Sequence, residues 1–189
     1  MAGMKSRHAA ALNLGCGRKR IEGAINLDIN PSIAPDVIHD LNNRPWPFDS
    51  DSFEHLYAYD VIEHLDDVIA TMNEIHRVCR AGAQVEITVP HFSSANTFTD
   101  PTHRHAFGYS SFHYVTGEHD FSFYTDKAFK RRVSRMMFQP SLINKAVWRL
   151  ANRFPEAYEM RWAWMFPAWF LYFELEVIKA SSEIRTSAP

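Results

Sequence analysis

The sequence of 189 residues has little of what marks several other classes of protein. Its two cysteines, Cys16 and Cys79, are too few for a disulfide-stabilised secreted domain, and they fit a reducing compartment. Its formal net charge is only -2, which argues against a protein that binds nucleic acid mainly through phosphate contacts. It contains no internal repeat and no low-complexity segment. We therefore expect one globular domain over residues 1–189.

The chain also lacks an uninterrupted apolar run of about 20 residues, the length that a membrane-spanning helix needs. Its most apolar stretch, residues 162–178, is broken by Pro167, Glu174 and Glu176. We interpret this stretch as a final buried strand whose apolar surface would suit a partner or a homo-oligomer interface. The opening MAGMKSRH is polar and does not resemble a secretory signal. We expect a cytoplasmic protein without a transmembrane segment.

The first thirty residues contain the most informative pattern. An apolar run over residues 10–14 indicates a buried strand that ends in Gly-Cys-Gly, and a second run at 25–29 carries Asp28 near its end. In open α/β sheets, ligands bind at the carboxyl ends of the strands. Glycine lets the backbone approach a ligand closely, and a carboxylate can accept hydrogen bonds from both hydroxyls of a ribose. The pattern predicts a site for a nucleoside cofactor.

The segments that follow predict further strands and one helix. A short strand-like run ends at Asp40, and another strand starts near residue 55. Apolar residues recur at helical spacing over residues 66–80, with a stop at Ala81-Gly82, and residues 84–90 alternate as in a strand. This order predicts an α/β fold in which a Rossmann-like, mostly parallel sheet is flanked by helices.

Five segments in this order resemble the class I S-adenosylmethionine-dependent methyltransferases, in particular the small type 11 methyltransferase-like group. They are LNLGCG, INLDIN, VIHDLNN, FDSDSFEHLYAYDVIEHL and RVCRAGAQVEITVP, and they cover a core of residues 10–90. The resemblance implies a methyltransferase with S-adenosyl-L-methionine as cofactor and S-adenosyl-L-homocysteine as product.

The resemblance also implies cofactor-binding residues. The glycine turn and Asp60 would contact the methionine end of the cofactor. Asp28, at the end of the second strand, would bind the ribose, and Asp40, at the end of the third strand, would contact the adenine. The implied set is Leu14, Gly15, Cys16, Gly17, Asp28, Ile29, Asp40, Leu41 and Asp60. Two alternatives stay open: Asp28 could be a surface turn acid, and Asp40 could simply cap a turn.

The chain departs from the family pattern between Gly17 and Asp28. About ten residues separate them, too few for a full crossover helix, since a parallel crossover normally takes a dozen or more. RKRIEGA can form at most a turn or two. This leaves open how the methionine end of the cofactor is held.

Residues 91 to about 125 are polar, aromatic and rich in histidine, and they are typical of a long lid over a functional site. Histidine is the natural base near neutral pH, so we expect His91, directly after the fifth strand, or His103 to be the catalytic base. His105, Phe107 and Tyr109 are expected to bind the acceptor.

Other interpretations of the lid histidines stay open. Most of them could be structural groups that hold an aromatic loop. Asp100 with His91, His103 and His105 could ligate a metal, but the spacing fits no standard zinc motif, and we assign no metal.

Residues 126–180 are expected to form a strand, a helix around 144–153 and a last strand. The function that these features favour is methyl transfer to a hydroxyl or amine of a small molecule or glycan. Two alternatives stay open: a non-catalytic partner subunit that binds S-adenosylmethionine, and a nucleic-acid methyltransferase. The near-neutral charge and the lack of an Asn-Pro-Pro-Tyr-like motif argue against the second, so we expect no nucleic-acid partner.

Overall fold

Seven strands form a single sheet in the computed structural model, which describes residues 11–118, 124–126 and 128–179. The strands are β1 (Ala11–Leu14), β2 (Ala24–Asp28), β3 (Val37–Ile38), β4 (Phe53–Tyr59), β5 (Cys79–Pro90), β6 (Ala128–Met137) and β7 (Phe170–Ile178). Their order across the sheet is β3-β2-β1-β4-β5-β7-β6. The first five strands run parallel, and β7 pairs antiparallel with both β5 and β6. The predicted Rossmann-like, mostly parallel α/β sheet is confirmed.

Helices and short 3-10 turns connect the strands. The helices are α1 (Val68–Val78), α2 (Asn96–Thr99), α3 (His113–Thr116), α4 (Leu142–Arg153) and α5 (Pro155–Arg161), and the 3-10 turns cover Pro31–Ile33 and Ile62–His64. Residues 119–123, which belong to the expected lid, lie outside the described residues. No helix in the described part of the chain has the length and apolar character needed to cross a bilayer.

The core lies on the central strands, which α1 helps to cover. Leu12, Leu56 and Ile87 are fully buried on three neighbouring strands, and Met72 and Ile75 of α1 are fully buried as well. Burial of these side chains follows from the crossover connections of parallel strands, which place helices on the faces of the sheet. The arrangement leaves the carboxyl ends of the strands as the edge where a ligand can bind.

Helix α1 begins where expected but ends earlier. Asp67 caps its first turn, since its carboxylate accepts a hydrogen bond of 2.9 Å from the Ala70 amide. The helix stops at Val78, because Cys79 turns into extended backbone and already pairs with Phe53 of β4. The stop expected at Ala81-Gly82 was therefore wrong: both residues lie within β5, beside a register shift between β4 and β5.

The connection from β1 to β2 contains no helix, as its length predicted. Two buried amides on adjacent strands organise it instead. Asn13 donates to the side-chain oxygen of Asn26 (2.9 Å) and to the Lys19 carbonyl (3.0 Å). The same Asn26 oxygen accepts from the Ile21 amide (2.8 Å). These bonds satisfy backbone groups that the missing helix would have paired.

The C-terminal part contains one more helix than expected. Between β6 and β7 the chain forms α4 and then α5, which starts at Pro155 because proline is well suited to the first turn of a helix. The last strand begins only at Phe170, and residues 162–169 form the turn that precedes it. Helix α4 buries Ala151 but leaves much of its apolar surface exposed.

Candidate functional site

The glycine turn lies at the carboxyl end of β1, beside the ends of β2 and β4. Gly15 has a φ of +55°, and a Cβ atom there would lie 2.4 Å from Cγ2 of Val61. Only glycine fits this position, since a side chain would face both backbone strain and a clash. Gly17 also has a positive φ of +48°, but a Cβ there would point into open space. The turn thus packs against Val61 on one side and stays open at Gly17.

Cys16 holds this turn to the next strand and is not exposed for chemistry. Its amide donates to the Leu27 carbonyl (3.0 Å), and its side chain is buried. Burial raises the pKa of the Cys16 thiol, and the nearby Asp28 carboxylate raises it further. Cys16 therefore acts as a small residue in a tight turn and not as a nucleophile.

Asp28 closes the space between the turn and the end of β2. One carboxylate oxygen accepts from the Gly17 amide (2.9 Å), and the other accepts from the Asn30 amide (2.8 Å). Each oxygen keeps a further lone pair for another donor. Next to it, the side chain of Ile29 is 62% exposed, which provides an apolar face beside an oriented carboxylate.

Asp40, which was expected to contact the adenine, shows fewer features of a binding site than Asp28. Asp40 accepts from the Asn42 amide (2.9 Å), which is the turn-capping geometry that the sequence left open. Leu41 is 5% exposed and packs in the core, while its carbonyl accepts from the Trp46 indole (3.0 Å). The side chain of Leu41 therefore belongs to the core.

Asp60 connects the glycine turn to a neighbouring cleft. It follows β4 with a φ of +56°, accepts from the Thr88 hydroxyl (2.7 Å) and pairs with the Lys19 ammonium (3.4 Å). Because Lys19 is highly exposed, this ion pair contributes little energy. The contact with Thr88 is the one that orients the Asp60 carboxylate into the cleft.

The cleft has a volume of about 480 Å³ and opens at the carboxyl ends of β4 and β5. It brings two expected residues, Asp60 and His103, together with residues that sequence analysis had not placed in a site. Its lining consists of Asp60, Glu63, His64, Pro90, Asn96, Thr99, Asp100, Pro101, His103 and Phe170.

Glu63 is the most unusual residue of the cleft. Its side chain is 2% exposed, and its Oε2 has no hydrogen-bond partner among the described residues. Burial raises the pKa of Glu63 to about 8, and the nearby carboxylates of Asp60 and Asp100 add to the shift. A buried carboxyl without a partner is costly in a native structure and frequently marks a functional position.

Hydrogen bonds orient the two imidazoles next to Glu63. His103 uses Nδ1 as the donor to the Thr97 carbonyl (3.2 Å), which leaves a lone pair on Nε2, 3.9 Å from the Glu63 carboxyl. His64 uses Nδ1 as the donor to the Thr102 hydroxyl (2.8 Å), which itself donates to Asp100 (2.6 Å). Burial lowers the pKa of His64, and the neighbouring His103 lowers it further. In both rings Nδ1 is therefore the donor, and Nε2 carries the lone pair and faces away from Thr97 and Thr102.

This cluster of Glu63, His64 and His103 could also converge on a metal ion. One ligand atom from each residue lies within 4.8 Å of the others. A carboxylate with two imidazoles suits several divalent transition metals. The spacing in the sequence did not indicate the group, because His103 comes 39 residues after His64.

His91, the first candidate for the base, lies elsewhere. Its ring is completely buried, Nδ1 accepts from the Ser93 amide (3.1 Å), and Nε2 donates to Glu159 (3.1 Å). A general base needs a nitrogen that an acceptor can reach, and His91 has none. In this structure His91 ties β5 to α5 and does not line the cleft.

The expected acceptor-binding residues do not line the cleft either. His105 donates to the Leu65 carbonyl (2.8 Å). Phe107 is 4% exposed and stacks on Phe112 in the core, and the Tyr109 amide donates to Glu159 (2.6 Å). These contacts hold residues 105–109 in place against Leu65, the core and Glu159 of α5. Acceptor binding by His105, Phe107 and Tyr109 therefore stays a prediction that the lining of this cleft does not support.

Comparisons with known proteins agree with this architecture. Residues 12–87 match a family model described as a methyltransferase domain, of type 11. No curated protein sequence matches the chain.

Among solved structures, the chain is similar to a SAM-dependent methyltransferase from Archaeoglobus fulgidus, with 16% identity, a TM-score of 0.61 and coverage of 88% of this chain and 85% of that chain. It is also similar to a S-adenosylmethionine-dependent methyltransferase from Mesorhizobium loti, with 13% identity, a TM-score of 0.57 and coverage of 88% and 89%. A third similar structure is a complex of the Haloferax volcanii Trm112 methyltransferase activator with a methyltransferase, with 14% identity, a TM-score of 0.57 and coverage of 89% and 82%. At these identities the likeness concerns the fold.

Proposed function

We propose that this protein, which belongs to the class I S-adenosylmethionine-dependent methyltransferases of the type 11 group, methylates a hydroxyl or an amine of a small molecule or glycan. The observation that carries the proposal is the cleft of about 480 Å³ at the ends of β4 and β5, which contains an oriented imidazole and a buried carboxyl. A cleft of this size suits a small acceptor or one sugar unit of a larger one.

We assign the cofactor to the strand ends next to this cleft. Asp28 would accept hydrogen bonds from the ribose hydroxyls with its remaining lone pairs, and Ile29 would pack on the adenine ring. The open side of Gly17 leaves room for the methionine end, and Asp60 lies between this end and the cleft. Asp40 contributes a weaker contact at most, since its carboxylate already caps a turn.

We assign the role of general base to His103. Bound S-adenosylmethionine would supply the methyl group: the acceptor's lone pair would form a bond to the methyl carbon as the sulfur–carbon bond breaks, and S-adenosylhomocysteine would keep the electron pair on sulfur. The proton of the acceptor passes to Nε2 of His103, whose ring the Thr97 carbonyl holds in the required tautomer. The protein otherwise supplies orientation, which accounts for a large part of the acceleration of an in-line displacement.

A two-part experiment tests this proposal. Calorimetry should show that S-adenosylhomocysteine binds the wild type and binds His103→Ala equally well, since His103 lies on the acceptor side. Transfer of a labelled methyl group to small hydroxyl and amine compounds should then fall about 100-fold or more in kcat for His103→Ala. His105→Ala serves as the matched histidine control and should change kcat by about twofold at most.

The two parts separate the competing functions. Cofactor binding without methyl transfer to any acceptor would favour a non-catalytic partner subunit, and transfer of the label to RNA or DNA would favour a nucleic-acid methyltransferase. Either result would contradict the proposed acceptor class. Undiminished transfer by His103→Ala would remove His103 from the mechanism.

A further inference from the structure

Helices α4 and α5 and the turn after them expose an unusual amount of apolar surface. Ten large apolar side chains between residues 142 and 169 are 38% exposed or more. Six of them define what we call the C-terminal apolar surface: Leu142, Leu150, Phe154, Met160, Trp162 and Trp164. Monomeric proteins rarely expose large contiguous apolar patches, and such patches mark protein or membrane interaction sites.

A groove runs through this surface between the two helices. Its volume is about 410 Å³, and its walls include Val147, Leu150, Phe154, Trp162 and Phe166. No charged side chain is among the residues that line it. The walls are mostly apolar, and the Tyr158 hydroxyl in them already donates to the Phe166 carbonyl, so the groove suits a hydrocarbon chain better than a polar ligand.

Positive charge accompanies the apolar surface. Lys145, Arg149 and Arg153 are all exposed and recur every four residues, so they lie along one side of α4, and Arg161 ends α5. We call these four residues the basic stripe. Residues 128–161 contain eight Lys and Arg against two Glu, although the whole chain has a net charge of -2. A helix with apolar side chains next to basic ones is typical of segments that lie in a membrane interface.

The charge of this surface also indicates whether its partner is a membrane or a second copy of the chain. In a two-fold symmetric dimer the same patch lies on both subunits, so the basic stripes of the two copies would come together. Glu156 is the exposed carboxylate on the two helices, because Glu159 is engaged by His91 and the Tyr109 amide. One carboxylate cannot balance four cations, whereas an anionic lipid surface supplies the complementary charge.

We propose that the C-terminal apolar surface binds an anionic lipid bilayer as a peripheral contact, with the basic stripe on the lipid phosphates and the groove holding hydrocarbon. Trp162 and Trp164 are exposed on this surface, and tryptophan is enriched at membrane interfaces. The surface continues toward the acceptor cleft, since Trp169 contacts Phe170, a residue of the cleft wall, with ring centroids 5.3 Å apart. The proposal goes beyond methyl transfer and does not depend on it.

Co-sedimentation with vesicles tests this proposal on the full chain without cofactor. The wild type should bind vesicles of phosphatidylcholine with phosphatidylglycerol and should release when salt is raised, because salt screens the contact with the headgroups. Leu150→Glu and the double variant K145E/R149E should each weaken binding about tenfold or more. All three substituted side chains are exposed, so these variants should keep the fold.

Ile38→Glu provides the matched control. Ile38 is about as exposed as Leu150 but lies on β3, at the opposite edge of the sheet from β6, and its variant should bind vesicles like the wild type. Wild-type protein that stays in solution with these anionic vesicles would overturn the proposal, as would equal binding by K145E/R149E. Light scattering that shows a dimer dissociated by Leu150→Glu would overturn it in favour of a second copy.

Discussion

The Asp28 carboxylate accepts a hydrogen bond from the Gly17 amide, with 2.9 Å between nitrogen and Oδ2. This contact spans the short connection between β1 and β2 and joins the two features from which the cofactor site was inferred. It fixes the carboxylate before any ligand binds, so that little ordering of this side chain is needed on binding.

Replacing Asp28 should weaken cofactor binding without unfolding the protein. In Asp28→Ala the ribose hydroxyls lose a charged acceptor, a loss of about 1.5–3 kcal/mol, which corresponds to about 10-fold to 150-fold in affinity for S-adenosylhomocysteine. Calorimetry measures this change. Glu54→Gln, which removes an exposed carboxylate from its pair with Arg80, is the control and should bind like the wild type. Wild-type affinity in Asp28→Ala would place the ribose elsewhere.

Gly15 should be intolerant of even a methyl group. In Gly15→Ala the new Cβ would lie 2.4 Å from Val61 Cγ2 at a φ of +55°, and we expect a loss of about 1–3 kcal/mol in unfolding free energy together with weaker cofactor binding. Urea denaturation measures the stability. Gly82→Ala is the matched control, because Gly82 also has a positive φ but meets no atom within 4 Å.

The clash can be separated from the backbone strain. Adding Val61→Ala to Gly15→Ala removes the nearest atom, Cγ2 at 2.4 Å, while Cβ at 2.8 Å stays, so the double variant should recover part of the loss. If the double variant were less stable than the sum of the single variants predicts, the contact between Gly15 and Val61 would not be the cause.

Asp36 should make the connection between β2 and β3 sensitive to acid. Hydrogen bonds from the amide and side chain of Asn26, and then from Arg20, lower the pKa of Asp36 below its usual value. Because the folded pKa is the lower one, this stabilisation is present above the unfolded pKa of about 4 and disappears as the pH falls through the folded pKa. The unfolding free energy should therefore fall more steeply below about pH 4 in the wild type than in Asp36→Asn. Parallel pH curves would contradict this role.

Zinc should inhibit methyl transfer, and a chelator should not. If Glu63, His64 and His103 act as free groups, as the base mechanism requires, EDTA leaves the rate of the purified enzyme unchanged. Added Zn²⁺ would occupy the lone pairs of both imidazoles and block proton transfer, with recovery on addition of EDTA. His64→Ala removes one ligand and should reduce the sensitivity to Zn²⁺ about tenfold or more. Loss of activity in EDTA would show that the cluster works with a bound metal.

Much of the sheet could be predicted from local patterns. The run before Gly15, the acid at Asp28 and the alternation after Gln84 each depend on a few neighbouring residues. Strands β1 to β4 lie within a residue or two of their expected places, whereas β5 starts earlier than expected. That early start escaped prediction because a helix and a strand meet directly at Cys79. No turn residue separates them, and pairing with β4 decides where one ends.

The roles of the histidines could not be predicted in the same way. His91, His103 and His105 lie within fifteen residues of one another in similar surroundings, and composition does not distinguish them. Glu159, 68 positions further along the chain, accepts a hydrogen bond from Nε2 of His91. Nε2 of His103 instead lies near the carboxyl of Glu63, which is 40 positions earlier in the chain. Such contacts depend on how α5 and the segment after β5 pack on the sheet.

The amino-acid sequence alone determined the features on which the proposed cofactor site rests, since strand periodicity, a glycine that permits a positive φ and an acid at a strand end are properties of short segments. Tertiary structure decided the features of the proposed acceptor cleft and of the C-terminal apolar surface: which imidazole keeps a free nitrogen, which carboxyl is buried without a partner among the described residues, and which apolar side chains stay exposed. The physical reason is that burial and hydrogen-bond pairing belong to the surroundings of a side chain, and those surroundings come from residues far away in the chain.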